Sequence, residues 1–205
     1  MSTLDRDEIL ARAKETGDLS KEDLSGINLE GVDLSEVDFT GANLTNICLK
    51  GATLVESRFH NANMQGADLS GVNLLKAYLV AADLLGANLE GANLEWAFLS
   101  GANVGGASFR NANLKKARFG VVQASFPNSS GKATSFRNAN MEGAIVNATD
   151  FRGVDLRGAK FNGTYLYEAK LRGAIVDKAQ FDDAITMAES YQPIESSCPL
   201  QHQTI

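Results

Sequence analysis

Two histidines, His60 and His202, and two cysteines, Cys48 and Cys198, are the side chains of this sequence best suited to act as bases, thiol nucleophiles or soft metal ligands. Acid–base or nucleophilic chemistry needs such a group within hydrogen-bond reach of a nucleophile or a second orienting group. Nothing in the sequence sets either histidine beside a nucleophile or a carboxylate pair, and His60 reads as an outward, solvated side chain. The cysteines have neither metal-ligand spacing nor a disulfide framework. No catalytic residue, metal or cofactor is therefore expected. The nearest approach to a chemical motif is Ser129-Ser130-Gly131-Lys132. A phosphate-cradling loop of the form G-x-x-x-x-G-K-[ST] would need glycine where Phe126 stands and Ser or Thr where Ala133 stands, so the match fails twice. Asn-x-Ser/Thr triplets at Asn43, Asn128, Asn147 and Asn162 fall largely within a repeat, and without a secretory signal they are not read as glycosylation sites.

Large apolar residues recur every five positions, and this period dominates the sequence. They run without exception from Leu19 through Leu24, Leu29, Leu34 and Phe39 to Phe119, and again from Phe136 to Phe181. Ala or another small residue usually stands two places earlier, as at Ala42, Ala52, Ala62 and Ala87, with Asp or Asn between and Gly often two places after. A period of five fits neither the 3.6 residues of a helical turn nor the strict alternation of a strand. Within one pentad, however, the small and large residues point the same way, as in a short extended segment. Gly and Asn suit the bends between segments.

This A-(D/N)-L-x-x pattern resembles the pentapeptide-repeat family over roughly residues 17 to 186. The resemblance implies an all-β solenoid: a right-handed quadrilateral β-helix with about 20 residues per coil, about eight coils and a rise of about 4.8 Å per coil. Ser57, Thr134, Thr149 and Thr164 put hydroxyls at inward positions and must find backbone partners.

Both open ends of such a rod need covers. Asp5 with Glu8 forms a capping-box start, Ile9, Leu10 and Ala13 make an apolar stripe, and Gly17 is a stop signal, so residues 1–16 are expected to carry a capping helix from about residue 5. Ala184, Met187, Ala188 and Tyr191 at helical spacing predict a second cap over 182–192, or alternatively a helical contact for a homodimer. Residues 193–205 read as a flexible tail. Between Phe119 and Phe136 the register slips by two residues modulo five, which places a loop at about 120–135. Phe126 with Ala124 is the pentad centre expected inside it.

Function is then expected at outward positions. Residues 20 apart stack on one side, giving Asp18, Asp38, Arg58, Tyr78, Phe98 and Arg118 in line. Val55, Arg58, Leu75, Tyr78, Val80, Leu85, Trp96, Phe98 and Arg118 are the candidate protein-binding residues, since exposed aromatics beside arginine mark binding hot spots. Whether Ile145, Tyr165 and Ile185 continue that line depends on the loop. The expected function is a non-catalytic protein-binding scaffold or adaptor in a bacterial regulatory or secretion assembly, with a partner of unknown identity.

The resemblance implies an alternative, because some pentapeptide-repeat proteins of the quinolone-resistance type mimic DNA toward type II topoisomerases such as DNA gyrase. Residues 1 to 40 hold 11 acids and 4 bases (net −7), and the remainder 14 acids and 15 bases (net +1). Negative charge thus gathers at one end, unlike a uniform mimic. Arg110, Lys115, Lys116, Arg118, Arg137, Arg152, Arg157 and Arg172 form no strong basic stripe, so direct nucleic-acid binding is not expected. With no long apolar run and no signal-peptide pattern, the expectation is a cytoplasmic protein with no membrane contact.

Overall fold

The computed structural model describes residues 4–125, 127, 131–177, 181 and 183–186. Five residues cannot complete a helical or strand repeat, so each pentad contributes one extended residue pair and one bend. In the pentad around Phe59, the Tyr78 N–H donates to Ser57 O (2.9 Å) and the Phe59 N–H to Tyr78 O (2.7 Å), which forms a parallel bridge between successive coils. The bend is closed by Ala62 N–H donating to Phe59 O (3.1 Å). Its third residue takes a left-handed conformation, as at Gly41 with φ 67°. Glycine meets that demand without Cβ strain, which explains its place two residues after the centre.

Parallel bridges join residues 20 apart along four ladders. Side 1 carries Asp18, Asp38, Arg58, Tyr78, Phe98, Arg118, Ile145, Tyr165 and Ile185; side 2 runs from Asp23 to Lys170, side 3 from Asn28 to Ile175 and side 4 from Asp33 to Lys160. The eight bridges of side 1 define about eight coils. Every centre from Leu19 to Phe119 and from Phe136 to Leu166, with most of the small residues two before them, is buried. A solenoid coil has no core of its own, so these side chains pack on their equivalents above and below. Phe39 and Phe59 show this with rings stacked at 4.9 Å and 2°, as do Phe109 and Phe136 at 4.6 Å. Fully burying one such side chain contributes roughly 1.5–3 kcal/mol before entropy.

The inward hydroxyls are all satisfied. Ser57 donates to Leu34 O (2.7 Å), Thr149 to Gly120 O (3.0 Å) and Thr164 to Met141 O (2.7 Å). Thr134 contacts Val104 O (3.1 Å) and Ala124 O (2.6 Å) and accepts from Gly106 N (2.9 Å). That last set ties the end of the inserted loop to two coils.

The insertion lies between sides 2 and 3. Bridge partners jump from 20 to 27 apart, as in Ser108 with Ser135 and Arg118 with Ile145, so seven extra residues leave the ladders intact. The pentad centre there is Ala124, not Phe126. Gln123 bridges both Asn103 and Asp150, which fixes Val122 and Ala124 as the buried pair on either side of it. Backbone register outweighs the greater apolar bulk of Phe126, which lies outside the described residues.

At the front, α1 (Arg6–Thr16) is capped by Asp5, whose carboxylate accepts from Glu8 N (2.9 Å) while Glu8 accepts from Asp5 N (2.9 Å). It ends at Gly17, φ 65°. Ile9 and Ala13 are buried against the first coil. Arg6 donates to Asn28 O (2.8 Å) and Glu30 O (3.4 Å). An earlier coil would have engaged those two carbonyls, so α1 replaces that coil's hydrogen bonds as well as covering its apolar face.

At the back, the part of the expected 182–192 helix that is described does not form one. Asp183 has φ 61°, Ala184 is buried in the small-residue place with its N–H on Phe181 O (3.1 Å), and Ile185 bridges Tyr165. Inter-coil hydrogen bonds prevail over helical spacing here. Residues 187–192 and the tail at 193–205 lie outside the described residues.

Candidate docking surface

Asp and Asn dominate the outward bridge position because their carboxylate or amide oxygen takes the N–H two residues on and braces the bend. Asp18 accepts from Ser20 N (2.8 Å), Asp68 from Ser70 N (3.1 Å) and Asp83 from Leu85 N (3.1 Å). Neighbouring amides also chain along a side, as in Asn113 donating to Asn93 (3.0 Å) and Asn93 to Asn73 (3.0 Å). Side 1 abandons this chemistry after Asp38. Arg58, Tyr78, Phe98, Arg118, Ile145, Tyr165 and Ile185 follow one another, and none has an Asx oxygen. Each such position forgoes a hydrogen bond worth about 0.5–1.5 kcal/mol.

The bend between sides 4 and 1 departs from preference in a second way. Its left-handed places hold Glu36, Glu56, Lys76, Trp96 and Lys116 in succession, with φ between 57° and 63°. A bulky residue there costs roughly 1–2 kcal/mol relative to glycine. Two kinds of local cost therefore coincide on adjacent strips of the same surface.

Those strips form one stacked array. Tyr78 and Phe98 lie 5.1 Å apart at 3°, His60 stacks on Tyr78 at 6.0 Å, and the Arg118 guanidinium sits 5.4 Å from the Phe98 ring. Lys116 Nζ lies 4.6 Å above the Trp96 ring. Tyr78 is 36% and Trp96 40% exposed. Because the ring faces are taken by one another, the array offers its edges, the Tyr78 hydroxyl and its cations to a partner. Lys76 Nζ is 2.9 Å from Glu56, and this hydrogen bond and charge hold the ammonium above its ordinary pKa. Arg58 lies 3.9 Å from Asp38 and Lys115 3.1 Å from Glu142. Lys116 and Arg118 have no carboxylate partner among the described residues.

Of the nine residues expected to form the surface, Arg58, Tyr78, Phe98 and Arg118 share side 1, Val55, Leu75 and Trp96 line the bend before it, and Val80 the bend after it. Leu85 does not belong: it sits one side further on, beyond Asp83, at the bend that carries the insertion. The insertion thus leaves and rejoins the coil at the bend diagonally opposite Trp96. The bridge between Arg118 and Ile145 joins the second line to the first, so side 1 runs unbroken to Ile185, with Tyr167 (42% exposed) beside it.

Two residues of the array escape the sequence reading. His60 is half-buried under Tyr78, not freely solvated. Lys116 stands 20 residues after Trp96, so the coil period applied to the bend would have found it.

Away from this surface, chemistry is sparse. No group of His, Cys, Asp or Glu among the described residues could hold a metal ion, and no described helix is long and apolar enough to cross a membrane. Arg152 and Arg157 are bound to Asp150 (2.7 Å) and Asp155 (2.8 Å), which removes them from any basic stripe. Arg152, with help from Ser125, holds the Asp150 carboxyl down to a pKa of about 2.

A family model described as pentapeptide repeats matches residues 18–54, 57–95, 87–120 and 149–185. Among solved structures, the chain is similar to HetL, a pentapeptide repeat protein involved in heterocyst differentiation regulation from the cyanobacterium Nostoc. Identity is 24%, with 91% of this chain and 99% of that chain covered and a TM-score of 0.62. It is also similar to a trypsin-treated form of QnrB1, a plasmid-mediated fluoroquinolone resistance protein, at 19% identity over 79% of this chain and 84% of the other, with a TM-score of 0.49. A pentapeptide repeat protein of the Arabidopsis thaliana thylakoid lumen is 33% identical over 51% of this chain and 73% of its own, with a TM-score of 0.33. No protein of curated function matches the sequence.

Proposed function

Because the chain belongs to the pentapeptide-repeat family, whose inward positions are committed to stacking, we propose that it is a non-catalytic, cytoplasmic protein-binding scaffold. It docks a protein partner through side 1 and the bend before it, in a bacterial regulatory or secretion assembly. One observation carries this reading: side 1 gives up the bracing Asp or Asn at seven successive rungs and places aromatic, cationic and branched apolar residues there instead. A surface kept only for solubility would retain the cheaper Asx pattern of sides 2 and 4. Aromatic and arginine side chains at the centre of a patch are the residues that dominate binding energies. The test is affinity capture with the wild type and with Tyr78→Ala/Trp96→Ala. The double variant should keep its melting behaviour and lose its captured partner, and unchanged capture would remove the surface from consideration.

A second reading, a DNA-mimicking modulator of a type II topoisomerase, draws on the acidic front, where net charge reaches −7 by residue 40. Near-neutral charge over the rest of the rod ranks it below the first. A gyrase supercoiling assay decides between them, since protection from a quinolone by added protein would reverse the order.

A further inference from the structure

The signs of the charges along side 1 point to what covers it. Two rungs before Tyr78 stand Asp38 and, on the adjoining bend, Glu36; two rungs after it stand Arg118 and Lys116. Glu36 is exposed and has no ion pair among the described residues, and the two cations rest on aromatic rings without a carboxylate. One rung out from Tyr78 the pair is Arg58 and Phe98. The surface is therefore the complement of itself reversed about Tyr78. A two-fold axis perpendicular to the rod generates that reversal and brings like bends together, as an isologous interface requires.

From this pattern we infer that the partner is a second copy of the chain, docked antiparallel with side 1 on side 1 and the axis through Tyr78. In this register Asp38 meets Arg118 and Glu36 meets Lys116 of the other copy, each twice, at about 10 Å on either side of the axis for a rise of about 4.8 Å per rung. Arg58 meets the edge of the Phe98 stack. Leu75, Tyr78 and Val80 form an apolar strip across the centre, and the Lys76 beside it in each copy stays neutralised by its own Glu56 at 2.9 Å. Shifting the axis by half a rung, to between Tyr78 and Phe98, would set Arg58 against Arg118, a repulsion that disfavours that register. The insertion leaves and rejoins the coil at the bend between sides 2 and 3, diagonally opposite the bend that enters this interface.

The inference rests on reading side 1 as a docking surface and is decided separately from it. Sedimentation equilibrium of the full chain at low salt should give a monomer–dimer equilibrium that weakens as salt screens the four ion pairs. Asp38→Arg and Arg118→Asp each place like charges together and should raise the dimer dissociation constant by about tenfold or more. The double variant Asp38→Arg/Arg118→Asp exchanges the charges and should return it close to the wild-type value. Circular dichroism and melting of each variant verify that the rods are folded. A chain that remains monomeric at all concentrations, or a dimer indifferent to the single changes, overturns the second-copy assignment. So does failure of the exchange to rescue a folded variant. The Tyr78→Ala/Trp96→Ala capture assay then judges docking of a different protein on its own.

Discussion

Trp96 is the residue at which backbone preference and surface chemistry conflict most directly. It holds φ 60° at a place where this rod elsewhere prefers glycine, and its ring supports Lys116. Relief of the left-handed strain is worth roughly 1 kcal/mol and loss of the exposed cation–π contact about 0.5–1 kcal/mol. Trp96→Gly is therefore expected to leave the melting temperature unchanged or raised while partner capture falls, a separation that calorimetry and capture on one sample would reveal. Asp150 illustrates the other use of an outward residue, as a brace. Its pKa of about 2 lies below the ordinary 3.8 because Arg152 binds it. The stability this adds is present in full above about pH 4 and is lost as pH falls through about 2. Arg152→Ala should return the Asp150 titration, followed by carboxyl NMR, toward 3.8 and remove that acid-sensitive increment.

At the scale of the coil, stability comes from identical places stacked at identical height. Ala87 is fully buried and has no room to grow, so Ala87→Leu should destabilise the rod by about 1–3 kcal/mol in chemical denaturation. Replacing outward Ser70 by Ala should cost little. For α1, Arg6→Ala leaves two exposed first-coil carbonyls to water and is expected to lower stability by about 0.5–1.5 kcal/mol, with hydrogen exchange rising first around residues 28–31. Coil architecture, the buried register and the front helix were legible because each depends on local spacing: five residues, or Asp5 to Glu8. The back was not. Ala184 to Tyr191 satisfy a helical period, but Ile185 also continues the repeat, and over the described residues 183–186 the bonds from Ile185 N to Thr164 O (2.8 Å) and from Leu166 N to Ile185 O (2.7 Å) favour the coil. Phe126 outranks Ala124 as a centre by bulk for a related reason, since hydrophobic bulk is visible in a sequence and the pull of a neighbouring bridge is not. Side 1 itself could be followed by period only to Arg118, because continuation to Ile145 requires knowing that seven residues loop out at a single bend.

For the molecule as a whole, that bend shows how loosely length and register are coupled. The ladders on all four sides continue through the insertion, so excising residues 125–131, which leaves Lys132 and Ala133 as the two bend residues, should preserve the fold. Ala81 and Ala148 already hold the left-handed place at other bends, with φ 56° and 54°. The excised chain should melt within a few degrees of the parent and keep its capture of a partner, because the deletion lies diagonally opposite side 1. The charge pattern is also a property of the whole, with a front of net −7 followed by a nearly neutral rod. Long-range attraction would thus orient an approaching cationic body toward one tip, while the stacked side governs close contact. The chain contains one tryptophan, and it lies in the middle of the candidate surface beneath a lysine. Its emission therefore reports on a single place, so occupancy of side 1 can be followed optically in the unlabelled protein, with no other indole to dilute the signal.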